Sequence, residues 1–216
     1  MLKDKINAFL NEKKGEHLDQ VKEIAIADTD ILNEILQGLK SKNEFFRYNC
    51  HKVIFQMSKT HSQLLYPKWD YFFYLLESPN AYHRISAINI ISYLTYEDTD
   101  KKFDRVFDRY FQLLDDKSMV VARYLAISAG IIAKNKPYLG EKIMEKLLEI
   151  ENTHHEEERK DLIKHDIIQS FSVLFDQIAE KEKVVSFIEK QLNSSSPKTR
   201  KAAKVFLNKF GKSYRG

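Results

Sequence analysis

Apolar positions along the chain recur at helical spacing. In residues 69–76, four apolar side chains follow an i, i+3, i+4, i+7 pattern, and three more apolar or aromatic side chains cover much of the remaining circumference. Residues 119–132 show the same breadth. A helix that is apolar over so much of its surface must be covered on two sides, as it is where it packs against its own partner and against neighbouring units.

A short motif also recurs: one or two leucines, a polar turn of seven or eight residues, a basic residue, then small and apolar residues. The basic positions are Arg47, Arg84, Arg123, Lys164 and Arg200. The arginines are 37 (47 to 84), 39 (84 to 123) and 77 (123 to 200) residues apart, so the last interval holds two units. The unit closed by Lys164 carries extra residues near 152–160, which we interpret as a solvated, charged insertion.

Each unit of about 38 residues predicts two helices. First helices are expected near 30–40, 66–77, 102–115, 138–151 and 182–193, and second helices near 44–59, 79–96, 119–135, 160–179 and 197–210. Residues 1–28 have room for a further, capping pair, parted at Gly15. The prediction is a single all-α domain over 1–216, in which the repeat units occupy 29–216 and the C-terminal end is basic.

Capping residues mark the expected helix starts. Ser78 and Ser196 each precede a proline, which suits a capping hydroxyl followed by proline at the first helical position. Asn43 and Ser118 stand at nearly the same distance before their basic residue and are predicted caps of the same kind. The turns are therefore in phase with the basic residues.

The motif resembles HEAT repeats, a family of armadillo-like α-solenoids. The resemblance implies a right-handed α–α superhelix of about five to six helix pairs, a tendency to bind macromolecules, and no reaction. The family pattern pairs an Asp in the turn with a basic residue in the second helix, which forms a ladder between units. The resemblance therefore implies a structural ladder at Arg47, Arg84, Asp116, Arg123, Lys164 and Arg200.

Composition supports a folded helical protein. Of 216 residues, 43% are hydrophobic and 31% charged, with only 6 Gly and 4 Pro, which argues against disorder and against an all-β fold. The net charge of +4 names no partner. Cys50 has no second cysteine to pair with, the N-terminus lacks a signal-peptide core, and no apolar run reaches about 20 residues. We expect a cytoplasmic protein with no membrane span, whose oligomeric state the sequence does not indicate.

No residue pattern indicates catalysis. The GxSxG, CxxC, P-loop and dinucleotide-binding motifs are missing, so the sequence predicts no catalytic residue, no cofactor and no metal site. His154, His155 and His165 remain an alternative metal cluster. His155 begins a zincin-like pattern, but Arg159 stands where the second histidine would be.

Two surface patches are candidates for partner binding. Tyr82, Ser86, Asn89, Tyr93 and Tyr96 are spaced to share one face of a second helix, and tyrosines are frequent anchors in interfaces. The C-terminus is basic, with no acidic residue from Ser194 onward. Its candidate contacts for phosphate or an acidic partner are Lys198, Arg200, Lys201, Lys204, Lys209 and Lys212.

Two functions therefore stay open. The first is a non-catalytic scaffold or adaptor that binds a protein. The alternative is a nucleic-acid-binding protein, because the chain is similar in size and helical-repeat build to alkylpurine DNA glycosylases of the HEAT-like class. Those enzymes use a Trp/Asp/Arg constellation whose surrounding motif is missing here, and Trp69–Asp70 is the only acid adjacent to a Trp.

Overall fold

Helices are the regular elements of the chain over residues 2–214, the part that the computed structural model describes, with side chains for residues 2–211. No strand occurs in this part, so the predicted all-α class is confirmed. The chain divides into two compact units, Met1–Asp98 and Thr99–Gly216. Each unit is described by itself.

The first unit begins with the expected additional helix pair. Its helices are α1 (Leu2–Leu10), α2 (Leu18–Ala27), α3 (Thr29–Gly38), α4 (Glu44–Thr60), α5 (Ser62–Leu65), α6 (Trp69–Leu76) and α7 (Ala81–Leu94). Gly15, between α1 and α2, has a φ of 62°, a left-handed conformation that residues with a Cβ rarely adopt. A Cβ there would also lie 2.9 Å from Cδ1 of Leu18. This position therefore favours glycine.

The second unit contains three further pairs. Its helices are α8 (Lys102–Phe111), α9 (Met119–Asn135), α10 (Gly140–Leu148), α11 (Glu157–Leu174), α12 (Lys181–Lys190) and α13 (Pro197–Tyr214). The first helix of each pair ends in a short 3-10 turn, at Gln112–Asp115, Glu149–Asn152 and Gln191–Asn193. The expected first helices near 102–115, 138–151 and 182–193 each correspond to a helix together with its turn.

Second helices of successive pairs pack against each other within each unit. In the first unit α4 contacts α7, and in the second unit α11 contacts both α9 and α13. First helices cover them: α3 contacts α4, α6 contacts α7, and α12 contacts α13. Second helices are therefore covered by two kinds of neighbour, which explains why apolar residues occupy so much of their circumference.

Helix starts agree with two of the predicted caps. Asn43 Oδ1 accepts a hydrogen bond from the backbone N–H of Phe46 at 3.2 Å, at the start of α4. Pro197 is the first residue of α13, and Ser196 Oγ accepts from the N–H of Thr199 at 3.4 Å. Both are the side-chain-to-backbone contacts that stabilise a helix N-terminus.

Of the other two cap predictions, the one for Ser78 is wrong and the one for Ser118 is right in position only. Asn80, and not Ser78, caps α7, because its Oδ1 accepts from the N–H of Tyr82 at 2.9 Å. Ser78 Oγ accepts instead from the N–H of Asn80 at 3.2 Å, so its hydroxyl closes the turn before the helix. Ser118 holds the cap position of α9 without a side-chain cap; its own N–H donates to Asp116 Oδ1 at 2.8 Å.

The insertion in the fourth sequence repeat, the one closed by Lys164, is shorter than expected and partly buried. Glu157 begins α11, so the loop covers 153–156 between the 3-10 turn and the helix. His155 in this loop is only 5% exposed. The expectation of a wholly solvated insertion is therefore wrong, because this side chain packs against the preceding pair at the carbonyl of Leu114.

Over residues 2–214, no helix has both the length and the hydropathy that crossing a bilayer requires.

Candidate functional site

Three ladder arginines make the same contact. Nη1 of Arg47 donates to the carbonyl of Ser41 at 2.7 Å, and Nη1 of Arg84 donates to that of Ser78 at 2.6 Å. Arg200 repeats the pattern with Ser194, also at 2.6 Å. Each acceptor lies six residues earlier, in the turn that joins the two helices of the pair. These guanidinium groups therefore satisfy carbonyls of their own turn.

Arg123 makes a different contact. Its Nε donates to Oδ2 of Asp166 at 2.7 Å, which joins α9 to α11. The hydrogen bond from Arg123 to this carboxylate, which is 3% exposed, raises the pKa of Arg123. Lys164 Nζ lies 2.9 Å from Oε2 of Glu151. The basic residues at the repeat position are thus engaged inside the protein, and their role as a ladder between units stays a prediction.

The predicted tyrosine stripe, which runs along α7 into the turn after it, is exposed only at its ends. Tyr82 and Tyr96 are 60% and 74% exposed, whereas Ser86 and Asn89 are 7% and 6% exposed. Tyr93 is half-buried, with its ring edge-on to Phe55 of α4 at 5.7 Å between centroids. The expectation that these five residues form one exposed patch is corrected, because α4 packs beside the middle of α7.

An aromatic and cationic surface on α4 was not predicted. Phe45 and Tyr48 are 48% and 55% exposed. The ammonium of Lys52 lies 4.5 Å from the ring centre of Tyr48, and the guanidinium of Arg47 lies 5.2 Å from that of Tyr82. We call these five residues, Phe45, Arg47, Tyr48, Lys52 and Tyr82, the α4–α7 surface. The signal was present in the sequence as aromatics on either side of Arg47.

The basic C-terminal residues are mostly exposed. Lys198, Lys201, Lys204 and Lys209 are exposed and Arg200 is half-buried, while the side chain of Lys212 lies outside the described residues. For Lys198, Lys201 and Lys204, no carboxylate among residues 2–211 lies within ion-pair distance.

Two of these lysines line a groove of about 450 Å³ between α11 and α13. The lining residues are His165, Ile168, Gln169, Ser172, Lys198, Lys201, Ala202 and Val205. Val205 is 60% exposed although it is apolar. We call this the α11–α13 groove. It combines two unpaired ammonium groups with an apolar wall, and no carboxylate lines it.

An apolar stripe lies on the neighbouring second helix. Val120, Tyr124 and Ile127 of α9 are 45%, 38% and 41% exposed and follow i, i+4, i+7 spacing. Exposed apolar side chains scattered singly are normal on protein surfaces, but a contiguous set on one helix face is typical of an interaction site.

Groups that sequence reasoning considered for chemistry are buried or engaged. Cys50 is fully buried, and burial raises the pKa of its thiol to about 12, so it remains protonated at neutral pH. Trp69 is 2% exposed. His165 does not join His154 and His155; its Nδ1 lies 3.0 Å from Oδ1 of Asp166.

His154 and His155 form a cluster with Asp115 instead, at the insertion loop. One ligand atom each from Asp115, His154 and His155 lies within 4.8 Å of the others. Asp115 closes the 3-10 turn after α8, and the histidines lie in the loop before α11. Sequence reasoning named the two histidines but not Asp115, because nothing in the spacing shows that the loop returns to a turn 39 residues earlier.

The described residues thus define an all-α protein of stacked helix pairs with exposed second-helix surfaces. No protein-family model matches the chain, and no curated protein matches its sequence. Among solved structures, a designed armadillo repeat protein is similar, with a TM-score of 0.48 and 16% identity over 94% of this chain and 98% of that one. A likeness this weak adds nothing to the fold assignment, which rests on the helix packing.

Proposed function

We propose that the chain is a HEAT-like helical-repeat scaffold of the cytoplasm that binds a protein partner and catalyses no reaction. In this proposal the α11–α13 groove receives an acidic segment of the partner. The observation that carries it is the pair of unpaired lysines, Lys198 and Lys201, beside the exposed Val205.

The chemistry of the groove favours a partner with both carboxylates and apolar side chains. Ammonium groups without a local partner attract anionic groups and orient them during association. Val205 and Ala202 offer apolar area, and burying it adds roughly 25 cal/mol per Å² removed from water. An acidic peptide segment with an apolar residue satisfies both requirements.

Affinity capture with matched charge reversals tests this proposal. The immobilised wild-type chain is incubated with nuclease-treated lysate beside Lys198→Glu/Lys201→Glu and a control, Lys142→Glu/Lys190→Glu. The control lysines are exposed on the first helices α10 and α12 and carry the same charge change. We expect a protein that is retained by wild type and control and lost by the groove variant. Retention that is equal on all three proteins contradicts the proposal.

A second candidate function is binding of single-stranded nucleic acid at the α4–α7 surface. Exposed aromatic rings interleaved with cations provide stacking platforms and phosphate contacts, which is how non-sequence-specific proteins hold single strands. Phe45, Tyr48 and Tyr82 supply the rings and Lys52 the charge, since Nη1 of Arg47 is already bound to the carbonyl of Ser41. The resemblance to DNA glycosylases gains no support, because burial of Trp69 leaves Asp70 without an accessible tryptophan beside it.

Fluorescence anisotropy tests this candidate. Labelled single-stranded DNA, duplex DNA and RNA are titrated at about 50 and about 200 mM salt, since phosphate contacts weaken steeply with salt. If the surface binds single strands, Tyr48→Ala/Tyr82→Ala weakens binding while Tyr74→Ala, an exposed tyrosine on the first helix α6, does not. No salt-dependent binding by the wild type excludes this candidate.

A further inference from the structure

The cluster at the insertion loop has the composition of a metal site. It offers two imidazoles and one carboxylate, from His154, His155 and Asp115, with one ligand atom of each within 4.8 Å of the others. The rings of the two histidines are neighbours, with centroids 4.4 Å apart. All three residues lie in the second unit, so the cluster belongs to one compact body.

Backbone contacts hold two of the three side chains in place. The N–H of His154 donates to Oδ1 of Asp115 at 2.8 Å, and Nδ1 of His154 lies 2.5 Å from the same oxygen. Nε2 of His155 lies 3.2 Å from the carbonyl of Leu114. A carbonyl can only accept, so this contact fixes the proton on Nε2 and leaves the lone pair on Nδ1. Metal-binding histidines are commonly oriented by a hydrogen bond of this kind.

Binding of a metal ion requires the three ligand atoms to move slightly closer together. Bonds of about 2.0–2.1 Å in a tetrahedral site place ligand atoms roughly 3.3 Å apart, closer than the 4.8 Å limit observed here. The side chains of His154 and Asp115 are each 53% exposed, so they are able to rotate inward. A cleft of about 510 Å³ is lined in part by Asp115 and Thr153, so the carboxylate side of the cluster faces solvent.

We propose that Asp115, His154 and His155 bind a divalent transition-metal ion of the zinc type. Two imidazoles with one carboxylate suit Zn²⁺ better than the hard cations Mg²⁺ and Ca²⁺, which prefer oxygen ligands. The ion ties the insertion loop to the turn after α8. This site is independent of the proposed partner binding.

Titration of the untagged, metal-free chain tests the site. Zn²⁺ is added in competition with a chromophoric chelator, and Co²⁺ is added separately because its absorption spectrum reports coordination geometry. We expect one equivalent of Zn²⁺ to bind and a tetrahedral Co²⁺ spectrum. His154→Gln and Asp115→Asn should each weaken Zn²⁺ binding by about tenfold or more, since each replaces a preferred zinc ligand with a neutral amide.

His165→Gln is the matched control, because His165 lies in the same unit beside Asp166 and outside the cluster. His154 and Asp115 are exposed, so their variants are expected to fold, which circular dichroism verifies. The proposal is overturned if the wild type binds no zinc, if binding is unchanged in His154→Gln, or if His165→Gln abolishes it. In the first case the Asp115–His154 contact is only a hydrogen-bonded loop staple.

Discussion

Burial sets the protonation of several side chains on the second helices and the loops beside them. It lowers the pKa of His51, His83 and His155 and raises that of Cys50. His51 shows the largest of the histidine effects: its pKa falls to about 4, and its Nδ1 is shielded from solvent with no hydrogen-bond partner among residues 2–211. At the scale of single residues, these histidines favour folding only while they are neutral.

Acid should therefore destabilise the protein. The unfolded His51 binds a proton near pH 6.5, whereas the folded one does so only near 4, so stability falls as pH drops through 6.5 and levels off below about 4. For His51 alone the expected loss at pH 5 relative to pH 7 is about 2 kcal/mol. His83 and His155 act in the same direction.

Urea unfolding at pH 7 and pH 5 measures this loss. His51→Leu removes the titrating group, so its free energy of unfolding should fall less between the two pH values than that of the wild type. An equal loss in both proteins would show that His51 does not control the acid response.

The arginine-to-turn contact predicts a specific stability cost. Arg84 is 4% exposed and donates to the partly buried carbonyl of Ser78, so Arg84→Met should leave that acceptor without this donor and cost about 1–3 kcal/mol. Arg105 makes a similar contact, to the carbonyl of Asp100 at 2.8 Å, on an exposed surface. Arg105→Met should therefore change stability by less than about 0.5 kcal/mol. Thermal or urea unfolding compares the two variants, and equal effects would argue against the structural role of Arg84.

At the scale of helices, close approach between partners controls the packing. A Cβ on Gly38, at the end of α3, would lie 2.4 Å from Sγ of Cys50 and 2.8 Å from Cε1 of Phe46, both on α4. Cys50 is fully buried and has no room to move aside. The contact between α3 and α4 therefore depends on the absence of a Cβ at Gly38.

Gly38→Ala should destabilise the protein by about 1–3 kcal/mol, because overpacking forces the helices apart. Gly211→Ala is the matched control: among residues 2–211 a Cβ there would meet only Leu207, at 3.8 Å, so the helix gains about 0.5–1 kcal/mol from the better helix former. Differential scanning calorimetry gives the two shifts. A Gly38→Ala variant as stable as the wild type would mean that the α3–α4 contact is looser than described.

Much of the helix arrangement was predictable from the sequence, because the helix starts and the basic residues recur with the same period along the chain. Local competition explains the errors: Asn80 and Ser78 both offer cap oxygens, and only the folded turn selects between them. Burial of Ser86 and Asn89 was not predictable, since helical spacing defines a face but not where α4 crosses it.

At the scale of the whole molecule, the candidate binding surfaces lie on second helices in both units. The α4–α7 surface belongs to the first unit, and the α11–α13 groove and the α9 stripe belong to the second. The basic C-terminal residues were predicted from composition, whereas the groove was not, because it forms only where α13 packs against α11. The proposed binding functions therefore depend on surfaces that form only when helix pairs stack against each other.

The most direct test of the scaffold proposal is the dissociation constant of a captured partner, measured by isothermal titration calorimetry for three proteins. Lys198→Glu/Lys201→Glu should weaken binding by about tenfold or more and flatten its dependence on salt, because it reverses the charge that attracts the acidic segment. Lys142→Glu/Lys190→Glu should bind like the wild type. Equal dissociation constants for all three proteins would contradict the assignment of the α11–α13 groove as the docking site.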